Sequence, residues 1–275
     1  MPKNRQVKQR IDTILVDRGM ATSREQAKRM ILAGVVKVAG IHLPKPGQLV
    51  DATIDIEVLV KDRYVSRGGL KLEKALEEFK INLKGRVCTD IGASTGGFTD
   101  CMLQHGARRV YSVDVGVSQM HEKLQNDPRV TLLEHKNARE LITDDYDEPP
   151  QFVAIDVSFI SILRVTEALS TALPPLAEGV FLIKPQFEAG KQVVSKSRGV
   201  IRDEEVHREV LFSTLCGLAR QGWKSAGLIS SPIQGGSGNT EFLCHAHLTG
   251  DNEVIAEDIA IAVDEALHCA RAQFS

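Results

Sequence analysis

Four ionisable residues stand where apolar runs begin or end: Lys71, Asp156, Lys184 and Glu241. Asp156 follows the run from Phe152 to Ile155, and Lys184 follows Gly179 to Ile183. Glu241 precedes Phe242-Leu243-Cys244. Lys71 sits at the start of a predicted helix whose apolar stripe is Leu72, Leu76 and Phe79. In a parallel sheet covered by helices, ligands bind outside the carboxyl ends of the strands, so Asp156 and Lys184 are expected at that rim. If the strand after Glu241 is an antiparallel edge strand, Glu241 starts at the same rim, and Lys71 reaches in from the side. Two lysines and two carboxylates around one cavity make an acid–base site that needs no metal. A partly desolvated lysine among other charges can accept a proton. Such a group deprotonates or orients a hydroxyl, for instance a ribose 2′-hydroxyl, that is otherwise a feeble nucleophile. Singly, each residue is more often a surface charge or a structural ion pair; their joint placement carries the reading.

A second chemical signal is Val87 to Gly97, VCTDIGASTGG. A short buried strand runs into Gly92, Gly96 and Gly97, which permit backbone geometries that side chains forbid. Strand, glycine-rich turn and helix together form the entrance to a nucleotide-type pocket, with free N–H groups at the helix start. The spacing is not G-x-G-x-x-G, and no lysine follows the glycines as in a P-loop. Asp114 closes the next apolar run, from Arg109 to Val113, about 20 residues on, the usual distance for a carboxylate that grips ribose hydroxyls. A glycine loop with a ribose acid but no phosphate machinery indicates an adenosine cofactor without a pyrophosphate. S-adenosylmethionine fits that description.

The strand ends offer no thiol nucleophile: Cys88 lies inside the first strand and Cys101 within the following helix. That argues against carbon methylation by covalent attack. After the fourth strand comes Asp156-Val157-Ser158-Phe159 rather than the N/D-P-P-Y/F run of many methyltransferases that act on amines. The remaining acceptor is a hydroxyl, and Phe159 is expected either near a target base or in the core.

These groups must be positioned by a chain of 275 residues, enough for one large domain or a large and a small one. Its hydrophobic share of 43% supports a core. The net charge of −2 hides an asymmetry: Lys3, Arg5, Lys8, Arg10, Arg18, Arg24, Lys28, Arg29, Lys37 and Lys45 crowd the first part, opposed there by Asp12, Asp17 and Glu25. A basic module on a near-neutral chain suits a polyanion as readily as a solvated surface. The five cysteines form no C-x-x-C pair and are odd in number, so reduced thiols in a cytoplasm are expected, with neither a metal nor a disulfide framework. No apolar h-region follows the basic N-terminus. No uninterrupted apolar stretch approaches the roughly 20 residues that span a bilayer.

Arg10 to Gly19 carries Ile11, Ile14 and Leu15 at helical spacing, and Thr22-Ser23-Arg24-Glu25 predicts a capped second helix with Ala27, Met30 and Ile31 inside. A strand from Val35 to Val38 follows. This stretch resembles an S4 domain, the RNA-binding module of ribosomal protein S4, in its Arg-Ile-Asp start, its Ser-Arg pair and its Gly-x-Val-x-Val-x-Gly run. Further on, residues 61–69 read as a polar linker. Strands over 87–91, 109–113, 130–133, 152–155 and 179–183 alternate with helices, which indicates a parallel sheet. Glu188 to Arg202, with Lys191, Lys196 and Arg198, reads as a mobile basic loop. Asp203 caps a long helix that Gly222 ends near Trp223; Ser231 to Gly238 is a turn; and the last segment is an amphipathic helix.

The Lys–Asp–Lys–Glu set resembles that of the FtsJ-like ribose 2′-O-methyltransferases. The chain from about Arg10 onward resembles one branch of them, the TlyA family of ribosomal RNA methyltransferases, also known as hemolysins. SRGGLKL, DIGASTGGFTD, VDVG, NDPRV, NARELIT, DVSFIS, IKPQFE and GNTEF carry the resemblance. It implies an α/β, Rossmann-like S-adenosylmethionine-dependent methyltransferase domain over 70–275, preceded by an S4-type RNA-binding domain over 1–60. It implies that Lys71, Asp156, Lys184 and Glu241 are catalytic. Gly92, Ala93, Ser94, Gly96, Gly97, Asp114 and Asp156 would hold S-adenosylmethionine, with Asn137 near the adenine. Arg10, Arg24, Lys28, Arg29, Lys37 and Arg67 are the expected RNA contacts. The substrate implied is cytidine in ribosomal RNA of the large subunit; the C-terminal helix and the full N-terminal helix favour the small subunit as well. Two other readings stand beside this one: a catalytically silent RNA-binding protein and a membrane-active hemolysin.

Overall fold

The computed structural model describes residues 8–32, 34–41, 44–58, 63–197, 199–235 and 238–274. Lys3, Arg5 and Arg198 of the basic sets lie outside them. The chain divides into two compact units, Met1–Arg63 and Tyr64–Ser275.

In the first unit β1 (Lys8–Arg10) leads into α1 (Ile11–Asp17) and α2 (Arg24–Leu32), followed by β2 (Val36–Val38), β3 (Leu49–Asp51) and β4 (Ile56–Val58). The apolar stripes Ile11, Ile14, Leu15 and Ala27, Met30, Ile31 face each other as its core. The cap of α2 is reciprocal: Ser23 Oγ accepts from the Gln26 N–H at 3.2 Å, and Gln26 Oε1 accepts from the Thr22 N–H at 2.6 Å. The small strands pair antiparallel, β1 with β3 and β2 with β4.

The second unit opens with α3 (Gly68–Glu78), then β5 (Val87–Ile91), α4 (Gly97–Gln104), β6 (Arg109–Val113), α5 (Glu122–Gln125) and β7 (Val130–Leu133). It continues through β8 (Phe152–Ile155), α6 (Ile162–Ala172), β9 (Glu178–Ile183), α7 (Pro185–Glu188), α8 (Gly190–Lys196) and α9 (Glu204–Arg220). It ends with β10 (Trp223–Ser230), β11 (Phe242–Leu248) and α10 (Ala256–Phe274). The seven strands form one sheet in the order β10-β11-β9-β8-β5-β6-β7. β5 to β9 are parallel, and β11 is antiparallel to both its neighbours. Val87, Ile91, Val153, Ile155, Phe181 and Ile183 pack on one face, whereas Cys88, Val110, Phe152, Ala154, Val180 and Leu182 pack on the other. Burial on both faces explains why these strands read as continuous apolar runs rather than alternating ones.

Three local expectations are corrected. Trp223 to Ser230 is the edge strand, so β11 lies inside the sheet, not at its edge. The residue pattern of β10, exposed Lys224 beside buried Trp223 with Gly227 at a register shift, lacks the apolar run that betrays a central strand. The basic stretch after Glu188 holds a helical segment, α8, where a loop was expected. Tyr64, inside the expected linker, is 3% exposed and hydrogen-bonds Glu73, and Gly68 and Gly69 already belong to α3.

At the amino end of the parallel strands, Glu178 accepts hydrogen bonds from Arg86 and from His245 Nε2, the latter at 2.8 Å. His247 completes a group of metal-ligand types, but both oxygens of Glu178 are already engaged. Burial alone would raise this carboxyl; the bonds from His245 and Arg86 outweigh it and hold it at about 2. Its stabilising contribution is therefore complete above the ordinary carboxyl range near 4.5 and lost as pH falls from there towards 2. Glu178→Gln is expected to flatten the dependence of stability on pH across that window, as measured by denaturant unfolding between pH 6 and 2.5.

Candidate active site

The register of the sheet brings the four ionisable residues together. Phe242 of β11 pairs with Ile183 of β9, so Glu241 and Lys184 leave their strands side by side. β8 and β9 run parallel, so Asp156 and Lys184 emerge at the same end. Lys184 Nζ lies 2.6 Å from Asp156 Oδ1 and donates to Ser158 Oγ at 3.0 Å. Lys71, from the first turn of α3, places Nζ 2.6 Å from Glu241 Oε2. Lys71, Lys184 and Glu241 are buried. All four residues line one cavity of about 820 Å³, together with Phe159, Phe187 and Gln186.

The glycine loop forms an adjoining cavity of about 340 Å³ lined by Gly92, Ala93, Ser94 and Gly97. Lys71, Asp156, Ser158 and Lys184 line both cavities. Gly92 has φ +83°, and a Cβ there would stand 2.5 Å from the Asp156 carbonyl oxygen. The loop therefore packs backbone to backbone against the end of β8, which only glycine allows. Gly96, also at positive φ, backs onto Met120 and Leu124 and closes the turn rather than lining the cavity. Asp114 directly follows β6 and accepts the Ser94 N–H at 2.8 Å on one oxygen and the Gly116 N–H at 2.7 Å on the other. Asn137 caps a short turn through the Arg139 N–H and lines neither cavity.

Sequence reasoning missed Asp90. It is the penultimate residue of β5, is fully buried and lines the glycine-loop cavity. Oδ2 accepts from Thr99 Oγ1 at 2.6 Å, while Oδ1 has no partner among the described residues. Burial pushes this carboxyl up to about 7, and the Asp156 charge adds to the rise. A lone acid in the apolar strand VCTDI was the available signal. Burial also pushes the Cys88 and Cys244 thiols up to about 12, which leaves neither as a thiolate at neutral pH. Arg67, expected as an RNA contact, lines the glycine-loop cavity and donates to the Gln234 carbonyl at 3.4 Å. In the first unit Arg10 grips buried Asp12 through two bonds of 2.9 and 2.6 Å, and Arg24 stands 3.6 Å from the same carboxylate. Lys28, Arg29 and Lys37 are exposed.

The FtsJ-like methyltransferase family model matches residues 64–248, which span the whole sheet and both cavities. The chain belongs to the FtsJ-like methyltransferase family. An S4 domain model matches residues 9–53. Among relatives, YqxC of Bacillus subtilis is 47% identical over 267 residues, 94% of each chain. The 16S/23S rRNA (cytidine-2′-O)-methyltransferase TlyA of Mycobacterium tuberculosis is 40% identical over 260 residues, 94% of this chain and 97% of that one. A solved structure from Streptococcus thermophilus that carries a hemolysin name superimposes with TM-score 0.75 at 41% identity, covering 97% of this chain and 98% of the other. Membership in the family accounts for the parallel sheet with its glycine loop, which its domain match covers end to end.

The Lys71–Glu241 pair is dry enough for its energetics to be tested directly, with side chains 10% and 3% exposed. Removing one member of a buried pair strands the other, at a cost of about 3–5 kcal/mol, whereas replacing both with apolar groups costs far less. Lys71→Met is expected to destabilise the second unit by that order, and Lys71→Met with Glu241→Leu to recover most of it, as measured by denaturant unfolding.

Proposed function

We propose that this protein transfers a methyl group from S-adenosylmethionine to the ribose 2′-oxygen of cytidine in ribosomal RNA, in the large subunit and also the small one. The observation that carries the reading is the pair of buried lysine–carboxylate contacts facing one cavity beside the glycine loop. The name of the 40%-identical TlyA relative supports the substrate, and the match along 94% of this chain supports the dual specificity.

The glycine-loop cavity suits the cofactor. Its volume lies within the range of about 300–1,000 Å³ usual for small-molecule sites. Asp90 Oδ1, buried and without a partner among the described residues, matches an ammonium group, which the cofactor's amino-acid end carries. Gly92, Ala93, Ser94 and Gly97 let backbone approach an adenosine, with Gly96 shaping the turn. Asp114 retains lone pairs for ribose hydroxyls beyond the two it gives to Ser94 and Gly116. Asn137 is kept as an adenine neighbour through the short turn that it caps. When bound, S-adenosylmethionine supplies a methyl group already activated on a sulfonium.

The chain's own residues hold and deprotonate the acceptor. Lys184 and Lys71 orient the 2′-hydroxyl, whose proton leaves to solvent by way of Lys184 Nζ as the methyl is transferred, and Asp156, 2.6 Å from Nζ, balances the charge of Lys184 and holds it in place. Glu241 does the same for Lys71 and fixes its position. Positioning is the main contribution in such a reaction. Phe159 is 91% exposed at φ +65°, 5.0 Å from Phe187, which removes the core role and leaves an open ring for a base to stack on. Exposed Lys28, Arg29 and Lys37, with Arg10, Arg24 and Arg67, supply phosphate contacts. Reduced thiols support a cytoplasmic setting. The membrane-active reading gains no support from a spanning segment, since no helix among the described residues is long and apolar enough to cross a bilayer.

The test of the acceptor is ribosomal RNA carrying 2′-deoxycytidine at the mapped position. Transfer is expected to vanish while binding persists; methylation of that nucleotide would overturn the 2′-oxygen assignment. Lys184→Met is expected to lower turnover by about 10²–10⁴-fold and to leave cofactor binding near its original strength.

A cation held by Asp90 requires the carboxylate form. Cofactor affinity is therefore expected to rise about tenfold per pH unit up to about 7 and then level off. Asp90→Asn should weaken binding and remove that slope in calorimetric titrations.

A further inference from the structure

Gln186 stands in the charged cavity with half of its carboxamide unspent. It comes from α7, two residues after Lys184 and one before Phe187. Its Nε2 donates to Glu241 Oε1 at 3.4 Å, and its Oε1 is buried with no partner among the described residues. Glu241 is acceptor-only, so the amide nitrogen must face it; the reverse orientation would set two oxygens against each other. Glu241 is itself fixed, since its other oxygen takes Lys71 at 2.6 Å. That contact keeps the amide nitrogen beside the carboxylate and leaves Oε1 as the unpaired acceptor, while the second N–H of the same nitrogen stays on the Glu241 side. A buried amide carbonyl left unpaired is costly, and such orphan groups call for an explanation.

We propose that Gln186 reads the exocyclic amine of the target base, so that this site selects cytidine over uridine. The proposal rests on the ribose-methylation reading above. A nucleoside that brings its 2′-hydroxyl to Lys71 and Lys184 lies in the cavity that Phe159, Phe187 and Gln186 also line. Stacking on the aromatic rings accepts any base, because every base has a π face. Discrimination must come from a hydrogen bond to the base edge. The carboxamide pivots on its Glu241 contact and presents Oε1 to that edge. Cytosine offers the 4-amino donor there, whereas uracil offers an oxygen and would meet acceptor with acceptor. A flip of the amide to suit uracil would forfeit the contact with Glu241 and turn Oε1 against a carboxylate. The same contact that holds Glu241 therefore sets the sign of the readout.

The test compares ribosomal RNA substrates carrying cytidine, uridine or the pyrimidin-2-one ribonucleoside, which lacks the amine, at the methylated position. For the wild-type protein kcat/KM is expected to be roughly 10- to 100-fold lower for both replacements than for cytidine. Gln186→Leu should lower the rate on cytidine and bring the cytidine-to-uridine ratio close to one. Equal losses on both bases, with the ratio unchanged, would mean that Gln186 only positions Glu241 and would overturn the proposal. Wild-type activity on the pyrimidin-2-one equal to that on cytidine would overturn it too, without any variant that has to fold. If the wild-type protein methylates no cytidine in ribosomal RNA while still binding S-adenosylmethionine, the reading beneath the proposal fails and the proposal goes with it.

Discussion

A lysine carried into a protein interior has to be met by a carboxylate, because an unpaired buried charge costs several kcal/mol. Here two lysines are carried in together, and neither finds its partner nearby in the chain. Lys71 and Glu241 are 170 residues apart, one ahead of the first strand of the sheet and the other ahead of the last. Their 2.6 Å contact exists only once β11 has inserted between β9 and β10. The insertion reverses strand direction at that one place, so that a residue before β11 meets residues after β8 and β9. The site is in this sense a product of the completed sheet rather than of any local motif.

The same strand ends explain why the two cavities adjoin. β5 lies between β8 and β6, so the chain leaves it in one direction for β6 and later returns on its other side as β8. The crevice above such a reversal is where open α/β sheets bind ligands. Gly92 fills it with backbone, pressed against the Asp156 carbonyl, and Asp156 turns its carboxylate to Lys184. Asp156 therefore belongs structurally to both cavities. A group held by the glycine loop and one held by the lysines would share a wall made of the same four side chains.

How much of this was legible in the sequence follows from burial. The five parallel strands are covered on both faces, so they stand out as apolar runs, and the ionisable residues at their ends stand out against them. β10 was not legible, because an edge strand with one solvated face and a register shift has no continuous run. α8 was hidden by its glycine and lysines, which suit a loop equally well. The place of Arg67 beside the glycine loop was not legible, because a lone arginine carries no sign of which cavity it will face. Asp90 is masked by the glycine pattern that follows it, although an acid in a buried strand is itself a clue. Gln186 could not have been found from sequence, since what singles it out is an oxygen left without a partner among the described residues.

Phe159 sets an energetic problem that the isolated chain does not solve. A phenylalanine at φ +65° adopts a conformation that L side chains resist, at a cost of order 1–3 kcal/mol. With 91% of its surface exposed, it recovers little of that by burial. The ring leans towards Phe187, which α7 carries directly after Gln186, so a stacking surface and a hydrogen-bonding amide come from one short turn. On the proposed reading that strain would be offset by a base stacked on the ring. On the proposed reading, stacking of a base on Phe159 would supply affinity without choice, and the amide beside it would supply choice with little area. Both are anchored to the residues that follow Lys184, so a base engaged by them would set the position of its own ribose relative to the lysines.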